Sequence, residues 1–457
     1  MKLYAGRVPE KPTELMDEIN RSLPFDIRLL PQDIATNRAW AKELARLGVF
    51  SSDELGSVLE TLDTCLAQYK AGHFEPLPDD EDVHTLVERF LTESLGPTGA
   101  RIHTGRSRND QVVCDLRLYT CDRLKVLMQA TSDLILTLAD LGEQHAETLM
   151  AGTTHLQPAL PISLGQFLLS LGAALERDFS RLADTEKRVG LCPLGAGAMA
   201  GSGFEVDREF LARELGFHGV LPNSVDAVSD RDFCMETVNA CAVLATHLSR
   251  YAEQMIIWAN PGFGYVRFSG QWSTGSSMMP QKRNPDAMEL VRGKVARIIG
   301  ASNTLMTLVK GVPLSYAKDL QEDKEPLFDA LDNTLLVVRV FKEAIASASF
   351  NTEKLQKALD GDMLATDLAD ALAEIGIPFR TAHERVGALV GRLESEGRNM
   401  SDITRDELSR DFPEFGENLP ELTFQASVAR RTVMGGTAPQ RVREQAERLR
   451  SLFSRGE

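Results

Sequence analysis

Residues 111–150 read QVVCDLRLYTCDRLKVLMQATSDLILTLADLGEQHAETLM, and this stretch decides the fold. Its apolar residues recur every three or four positions, which is the period of an α-helix, for far longer than in an ordinary globular helix. The same period recurs at roughly 161–189, 228–260, 285–310 and 323–349, and each run is bounded by Gly, Pro or Asn. Five long helical runs predict a helical bundle.

Shorter helical patterns lie on either side of these runs, and strand patterns are few. We therefore expect an all-α protein with three domains, over residues 1–102, 103–349 and 350–457. At 1.5 Å per residue the long helices would extend about 38 to 60 Å, more than one compact domain needs. Their apolar stripes are expected to continue into contacts between subunits, which predicts a homo-oligomer.

Composition excludes several classes of partner. Of the 457 residues, 43% are hydrophobic, which is ample for a sizeable core. The 50 Lys and Arg residues against 66 Asp and Glu give a formal charge of −16, which disfavours nucleic acid and anionic membranes as partners. There is no apolar run of about 18 residues, and the start, MKLYAGRVPEKPTELMDE, lacks the apolar core of a signal peptide. We expect a cytoplasmic protein.

Neither a metal site nor a disulfide is predicted. The six cysteines are scattered without CxxC pairs, so we expect reduced thiols in the core. The acidic run DDED at 79–82 is interpreted as a solvated turn or a helix start rather than a cation site. No cofactor motif stands out.

The run GSSMMPQKRNPDAMEL at 275–290 has neither the helical nor the strand period, which indicates a functional site. Gly275 lets backbone amides approach a ligand, Lys282 supplies a positive charge, and two adjacent serines offer a nucleophile or a base. An anionic substrate suits such a loop. The preceding segment, from about 262 to 277, has four glycines and is predicted to be a mobile lid.

A second run, HTGRSRNDQ at 103–111, leads into the longest helix. Two arginines flank Ser107, and together with free amides at a helix N-terminus they form a natural seat for a carboxylate. The alternative is a helix cap made by Ser107 or Asn109. Both interpretations hold together, because capping and anion binding use the same free amides.

The third run, AGTTHLQPALPISLGQ from Ala151, is predicted to be a polar break between two long helices. His155 lies there among two threonines and Gln157, which we expect to fix its tautomer. An acid, base or orienting role follows. His145, His218 and His247 are interpreted as structural.

The fourth run, PLSYAKDLQEDKEP from Pro313, places Gln321 and Lys324 on one face of a predicted helix, with Tyr316 and Lys318 near its start. Taken alone, its alternating charges favour an exposed surface laced with salt bridges. The three other runs favour a role in the site.

Together, in this order and spacing, the four runs resemble the argininosuccinate lyases of the fumarase/aspartase superfamily. The resemblance covers nearly the whole chain, including the runs at 193–209, 223–233 and 435–442. It implies a three-domain fold with a central long-helix bundle that forms the helical core of a homotetramer. It also implies that each active site is built from three subunits, with the runs beginning at Thr104, Thr153 and Gly275 contributed separately.

The resemblance further implies a reaction, the reversible β-elimination of argininosuccinate to L-arginine and fumarate, and roles for individual residues. Ser276 would be the base that removes the Cβ proton, while Lys282 and Asn284 would hold the carboxylate that receives the electrons. His155, oriented by Glu289, would take part in acid catalysis or substrate positioning. The succinate carboxylates would be bound by Ser107, Arg108, Asn109 and Thr154, and the arginine portion by Ser22, Tyr316, Gln321 and Lys324.

Two other functions stay open. A lyase for another N-substituted aspartate would share the GSS loop, although the intact arginine-side residues disfavour it. Lens crystallins are relatives of this family, so a purely structural protein is conceivable. Intact Ser276, His155, Lys282 and Glu289 argue against lost activity.

Overall fold

The structure, a computed structural model, describes residues 12–74 and 76–453, and most of these are helical. The helices are α1 (Glu14–Asn20), α2 (Leu23–Asp26), α3 (Leu30–Arg46), α4 (Ser52–Lys70), α5 (Val83–Leu95), α6 (Pro97–Ala100), α7 (Arg108–Gln144), α8 (Leu164–Val189), α9 (Arg208–Glu214), α10 (Ser224–Ser229), α11 (Asp232–Ala259), α12 (Asp286–Val309), α13 (Lys324–Ala346), α14 (Thr352–Lys357), α15 (Ala365–Glu374), α16 (Phe379–Ser395), α17 (Arg405–Asp411), α18 (Phe424–Ala429) and α19 (Pro439–Phe453). The strands are β1 (Leu149–Thr154), β2 (Gln157–Ser163), β3 (Leu191–Cys192), β4 (Gly219–Val220), β5 (Val266–Arg267), β6 (Thr274–Gly275), β7 (Arg283–Asn284) and β8 (Ser349–Phe350). The predicted all-α class is confirmed.

The five predicted long runs correspond to α7, α8, α11, α12 and α13, and most of their ends agree within a few residues. The largest difference is at the end of α7, which stops at Gln144 although the helical pattern was extended to residue 150. The chain then forms an antiparallel hairpin of β1 and β2, and α8 begins only at Leu164. The predicted break between two helices is therefore a β-hairpin.

The hairpin follows from residue types that the helical count overlooked. Thr153 and Thr154 are β-branched and favour extended backbone. Pro158 and Pro161 cannot continue a helix, but each is tolerated in a two-stranded ribbon because every strand there is an edge. At the tip, His155 and Leu156 have φ values of 56° and 61°. Two successive positive φ angles are the signature of a tight type I′ turn.

The chain divides into two compact units, here called unit one and unit two. Unit one comprises the chain up to Gln129, Ser180–Ala245 and Val295–Leu335. Unit two comprises Ala130–Phe179, Thr246–Lys294 and the chain from Leu336 onward. The divisions fall inside long helices, so each unit draws on several separate stretches of sequence. The three-domain division predicted from the sequence stays a prediction.

Each unit has an apolar core of its own. In unit one, Trp40 and Ile34 of α3 are buried with Leu62 of α4 and Leu86 of α5. In unit two, a cluster from α15, α16 and α17 includes Leu372, Leu393 and Leu408. Complete burial of such side chains stabilises a fold by roughly 1.5 to 3 kcal/mol each.

All six cysteines are buried and unpaired, which confirms the predicted core thiols. Burial raises the pKa of Cys65, Cys121 and Cys241 to about 12, so these thiols are poor nucleophiles near neutral pH.

In the part of the chain that the structure describes, no helix combines the length and the apolarity needed to cross a membrane. The predicted cytoplasmic location stays a prediction.

Candidate functional site

Ser276 lies in the loop between β6 and β7, two short strands that pair antiparallel. Its Oγ accepts hydrogen bonds from the backbone N–H of Met278 at 3.2 Å and of Met279 at 3.0 Å. Two amides directed at one hydroxyl oxygen stabilise negative charge on that oxygen. The loop therefore supplies the preorganised donors that a serine base requires.

Asp286, the first residue of α12, holds the start of this loop in place. Its Oδ2 accepts from the backbone N–H of Thr274 at 2.9 Å and from the Thr274 hydroxyl at 2.7 Å. Burial would raise the pKa of Asp286, but these bonds and the charge of Lys282 outweigh it and lower the pKa. Lys282 and Glu289 are exposed, and Asn284 is half-buried.

His155 projects from the tip of the hairpin, and both His155 and Thr154 are exposed. Among residues 12–74 and 76–453, the ring of His155 has no hydrogen-bond partner and no ion-pair partner. In particular, Glu289 of the same chain makes neither kind of bond with it. The expectation that the neighbouring threonines and Gln157 fix its tautomer is therefore wrong for the single chain. The histidines interpreted as structural each have a partner within 3.1 Å, namely Thr148 for His145, Glu186 for His218 and Asp178 for His247.

The N-terminus of α7 is capped by Ser107, which was one of the two predicted cap residues, the other being Asn109. The Ser107 Oγ accepts from the backbone N–H of Asn109 at 3.2 Å. The side chain of Asn109 instead donates to the carbonyl oxygen of Ala198 at 3.2 Å. Ser107 and Asn109 thus lie side by side at the positive end of the longest helix.

Arg108 is the first residue of α7, and its side chain is 25% exposed. Its guanidinium lies 3.8 Å from Asp82 and 3.5 Å from Glu88, and it donates to Gln111 at 3.4 Å. Burial alone would lower the pKa of Arg108, but the two carboxylates raise it. All these contacts are long, so the guanidinium keeps the capacity to bind a carboxylate ligand.

The fourth run is not one continuous helix. Residues Lys318–Asp323 form a 3₁₀-helix, and α13 begins at Lys324. Gln321 and Lys324 still share a face, because side chains three apart eclipse in a 3₁₀-helix. Both are buried, so the alternative of an exposed charged surface is wrong for them. Gln321 donates to the carbonyl oxygen of Asn20 at 3.2 Å, and Lys324 donates to Asp323 at 3.2 Å.

Ser22 and Tyr316 lie near this lysine. The Ser22 hydroxyl donates to Asp26 at 2.6 Å, and burial raises the pKa of Asp26 against the opposing charges of His84 and, to a lesser extent, Lys324. Burial likewise raises the pKa of Tyr316, and Lys324 and Arg231 oppose that shift. The structure thus brings together the four residues predicted to hold the arginine portion.

The predicted site residues divide between the two units. Unit two holds Thr154, His155, Ser276, Lys282, Asn284 and Glu289. Unit one holds Ser22, Ser107, Arg108, Asn109, Tyr316, Gln321 and Lys324.

Sequence reasoning missed a buried charged cluster of Asp33, His84 and Asp115 in unit one. The His84 Nδ1 lies 2.8 Å from Asp33 and 3.2 Å from Asp115, and Thr36 donates to the latter carboxylate. Burial would lower the pKa of His84, but the carboxylates raise it to about 10. Burial and the charge of Asp33 raise the pKa of Asp115 to about 7. With a proton on Nδ1, the His84 ring is positively charged and forms ion pairs with both carboxylates. The proton then lies between the carboxylates, in the position that a bound metal ion would occupy.

One sequence signal pointed to this cluster. Asp33 and Asn37 lie four apart in α3, and Gln111 and Asp115 lie four apart in α7. Each pair puts polar side chains on a helix face that is otherwise apolar. Polar residues at core positions are kept where they are hydrogen-bonded, and they mark a network.

Asp110 was also missed. Its carboxylate accepts from the backbone N–H of Gly195 at 3.0 Å, of Gly197 at 2.8 Å and of Ser107 at 3.1 Å. Burial raises the pKa of Asp110 to about 6 in spite of these bonds. Gly195 and Gly197 have φ values of 87° and 61°, which a larger residue rarely adopts. Asp110 therefore fastens the glycine-rich loop after β3 to the start of α7.

Two known protein families match parts of the chain. Residues 6–300 match a family described as lyase, and residues 362–429 match one described as argininosuccinate lyase C-terminal. Argininosuccinate lyase of Chlamydomonas reinhardtii is 44% identical over 455 residues, which cover 99% of this chain and 96% of the relative. That of Chloroflexus aggregans is 45% identical over 458 residues, which cover 100% of this chain and 99% of the relative.

Two solved structures share the fold of this chain. An EDDS lyase variant with bound fumarate has a TM-score of 0.81 and 25% identity, and the match covers 94% of this chain and 87% of that chain. A class II fumarase from Schistosoma mansoni has a TM-score of 0.72 and 17% identity, with 90% of this chain and 92% of that chain covered. Since both the sequence matches and the fold extend over nearly the full length, this chain belongs to the argininosuccinate lyase family and is a lyase.

Proposed function

We propose that this lyase cleaves argininosuccinate to L-arginine and fumarate, with Ser276 as the base. The observation that carries the proposal is the pair of backbone amides directed at the Ser276 Oγ. A serine hydroxyl is a poor base unless its alkoxide is stabilised. The amides of Met278 and Met279 supply that stabilisation, and Lys282 adds a positive charge in the same loop.

The elimination proceeds in two steps. The Ser276 alkoxide takes the Cβ proton of the succinyl moiety, and the electron pair delocalises into the adjacent carboxylate, which Lys282 and Asn284 hold. The Cα–N bond then breaks and the Cα=Cβ bond of fumarate forms. The nitrogen leaves with the bonding pair and, as arginine, takes up one proton, which balances the proton that the Ser276 hydroxyl lost when its alkoxide formed. Donors that bind the carboxylate more tightly as it gains charge accelerate the first step.

The unit-one residues bind the rest of the substrate. Ser107, Arg108 and Asn109 hold a succinate carboxylate with the free amides of α7, and Thr154 contributes from the hairpin. Gln321 and Lys324 offer donors to the α-carboxylate of the arginine portion, because amide and ammonium groups suit that anion. Ser22 and Tyr316 complete this part of the site.

His155 acts in acid catalysis or positioning, with Glu289 as its orienting partner from another subunit. The lack of a ring partner for His155 within the described residues of one chain supports this assignment. A histidine with a role in catalysis needs a partner that sets its tautomer, and a neighbouring subunit can provide it.

The assembly is a homotetramer whose active sites each draw on three subunits. Large apolar side chains on the long helices support it, since Leu290 of α12 is 62% exposed and Leu336 of α13 is 45% exposed in the single chain. Exposed apolar residues along long helices are typical of surfaces that pack against another copy.

The release of fumarate, followed by its ultraviolet absorbance, tests the reaction. The purified protein would be assayed with argininosuccinate, adenylosuccinate, aspartate and malate. We expect argininosuccinate to be cleaved with a kcat/KM at least a hundredfold above the other three, because the arginine-side residues recognise the leaving group. Preferential cleavage of another substrate, or no cleavage at all, would reject the proposal.

A further inference from the structure

The carboxylate of Asp33, on α3, is the centre of a buried hydrogen-bond network. Its Oδ1 accepts from Nε2 of Gln111 at 2.6 Å and lies 2.8 Å from Nδ1 of His84. Its Oδ2 accepts from Nδ2 of Asn37 at 2.8 Å. Burial alone would raise the pKa of Asp33, but the charge of His84 lowers it below the usual value. The ionised carboxylate accepts hydrogen bonds and donates none.

The Asp33 carboxylate fixes the orientation of the side-chain amides of Gln111 and Asn37. Each amide must direct its nitrogen to Asp33, so its oxygen faces the opposite way. The Gln111 oxygen then accepts from Nη1 of Arg108 at 3.4 Å, and the Asn37 oxygen accepts from Nη2 of Arg106 at 2.9 Å. One carboxylate thus determines the direction of the acceptors offered to two guanidinium groups that flank Ser107.

Among the described residues, these two acceptors make the shortest side-chain hydrogen bond of each guanidinium, at 3.4 Å for Arg108 and 2.9 Å for Arg106. The remaining contacts of Arg108, with Thr85, Glu88 and Asp82, are 3.5 to 3.8 Å long. The Nε and Nη1 of Arg106 are buried and have no hydrogen-bond partner within residues 12–74 and 76–453. A guanidinium with weak restraints samples several orientations, and a fixed acceptor selects one of them.

We infer that Asp33 is a positioning residue, which acts through the side-chain amide of Gln111 to orient Arg108 for a substrate carboxylate and through that of Asn37 to fix the neighbouring Arg106. Asp33 is fully buried, so its effect on the substrate is exerted through other residues. The inference rests on the proposed function, because that function places the carboxylate of the succinyl moiety beside Ser107 and Arg108. Preorganised donors bind a carboxylate without further loss of side-chain freedom.

The test measures fumarate affinity by titration calorimetry and steady-state kinetics with argininosuccinate for the intact oligomer. Gln111→Met keeps the length of the side chain but removes the amide, and it removes no charge. We expect it to raise the Kd for fumarate and the KM for argininosuccinate at least fivefold while kcat changes less than threefold, since uniform carboxylate binding is lost. Asp33→Asn, which leaves one nitrogen facing another, should raise both constants at least as much.

A matched control separates positioning from loss of a buried ion pair. Asp80 is also fully buried and accepts from Arg89 at 2.7 and 2.8 Å, and it makes no hydrogen bond or ion pair with Gln111 or Arg108. We expect Asp80→Asn to lower the melting temperature yet leave the fumarate Kd within twofold of wild type. If Asp33→Asn does not assemble, Gln111→Met alone decides.

A fumarate Kd for Gln111→Met within twofold of wild type would overturn the inference, and so would an equal rise in the Asp80→Asn variant. The proposed function is judged separately, by turnover of argininosuccinate in the wild-type enzyme. Ratios of fumarate Kd among variants keep their meaning even if that turnover is absent.

Discussion

The Ser276 hydroxyl accepts two hydrogen bonds, and both come from backbone amides of its own loop. This arrangement stabilises the alkoxide far more than the neutral hydroxyl, so it favours proton transfer more than substrate binding. Ser276→Ala should therefore lower kcat by about three orders of magnitude or more, while KM stays within a few fold. Steady-state kinetics of fumarate release would measure both.

The neighbouring hydroxyl provides the control. Ser277 is exposed and lies next to the proposed base in the same loop. Ser277→Ala should keep kcat within about tenfold of wild type. Equal losses in the two variants would show that the first serine has no special role.

The buried His84 makes stability depend on pH in alkaline solution. Its pKa is about 10 in the folded chain and near 6.5 when exposed, so between these values the folded state binds the extra proton. Stabilisation by this group is complete below pH 6.5 and is lost as the pH rises toward 10. The loss is on the order of a few kcal/mol in the free energy of unfolding.

We therefore expect the melting temperature of the wild type to fall between pH 7 and about 9.5 more steeply than that of His84→Gln, which has no imidazole to titrate. Thermal unfolding of both proteins at several pH values is the measurement. Parallel curves would mean that His84 is not protonated in the fold.

The sequence indicated the residues of the four motif runs but not the buried cluster of Asp33, His84 and Asp115. Ser276 stands in a run that lacks a regular period, and Arg108 and His155 stand in polar runs next to long helical patterns; both kinds of run are visible without coordinates. Asp33, His84 and Asp115 come from three different helices and meet only when these pack together. No spacing in the chain encodes that meeting. The i, i+4 polar pairs in α3 and α7 only indicated that each helix had a buried polar partner.

At the scale of elements, long helices were predictable and the hairpin was not. The helical period of α7 is repeated over many turns, so the assignment of a helix does not depend on the few residues at its ends. The apolar residues of β1 fit both periods, since a strand of six residues is too short to separate them. Pro158 and Pro161 were the better signal, because they exclude a helix interior.

The loop before Ser276 is held at one end by Asp286. The predicted mobile segment from about 262 to 277 contains β5, a 3₁₀ turn at Gly270–Trp272 and β6. A cavity of about 290 Å³ lies against its end, lined by Trp272 and Leu290 among others. Its mobility stays a prediction.

Asp286→Ala should release this loop, because Thr274 loses the acceptor of both its hydrogen bonds. Amide hydrogen exchange at residues 274–279 should accelerate, and kcat should fall about tenfold or more because Ser276 is no longer held. Thr274→Val removes one of the two bonds and should give an intermediate exchange rate. Unchanged exchange in Asp286→Ala would reject the anchoring role.

At the scale of the whole molecule, the proposed chemistry and the proposed substrate grip belong to different compact units. Ser276 and His155 are in unit two, and Arg108 and Lys324 are in unit one. If each site draws on three subunits, two inactive variants can complement each other, because some sites receive only unaltered runs.

Ser276→Ala and His155→Asn, mixed and refolded together, should regain a substantial part of the wild-type activity. Asparagine tolerates the positive φ at position 155, so the second variant should keep its turn. The measurement is specific activity of the refolded mixture against each variant refolded alone, with mixed oligomers confirmed to be present.

The control pair alters one run twice. Ser276→Ala mixed with Lys282→Ala should regain nothing, since every copy of that run would carry a defect. Recovery in this pair, or none in the first, would contradict sites shared among subunits.

The turn at His155 and Leu156 has a consequence for the engineering of this enzyme. A type I′ turn is most comfortable with Asn-Gly, whereas this chain places a histidine and an exposed leucine there. Replacement of these two residues by Asn-Gly is expected to stabilise the turn, but it would remove the imidazole that is proposed to act in catalysis. If His155 has the proposed role, the hairpin is a point of trade-off, because the residues that would stabilise this turn most differ from the histidine that catalysis would need.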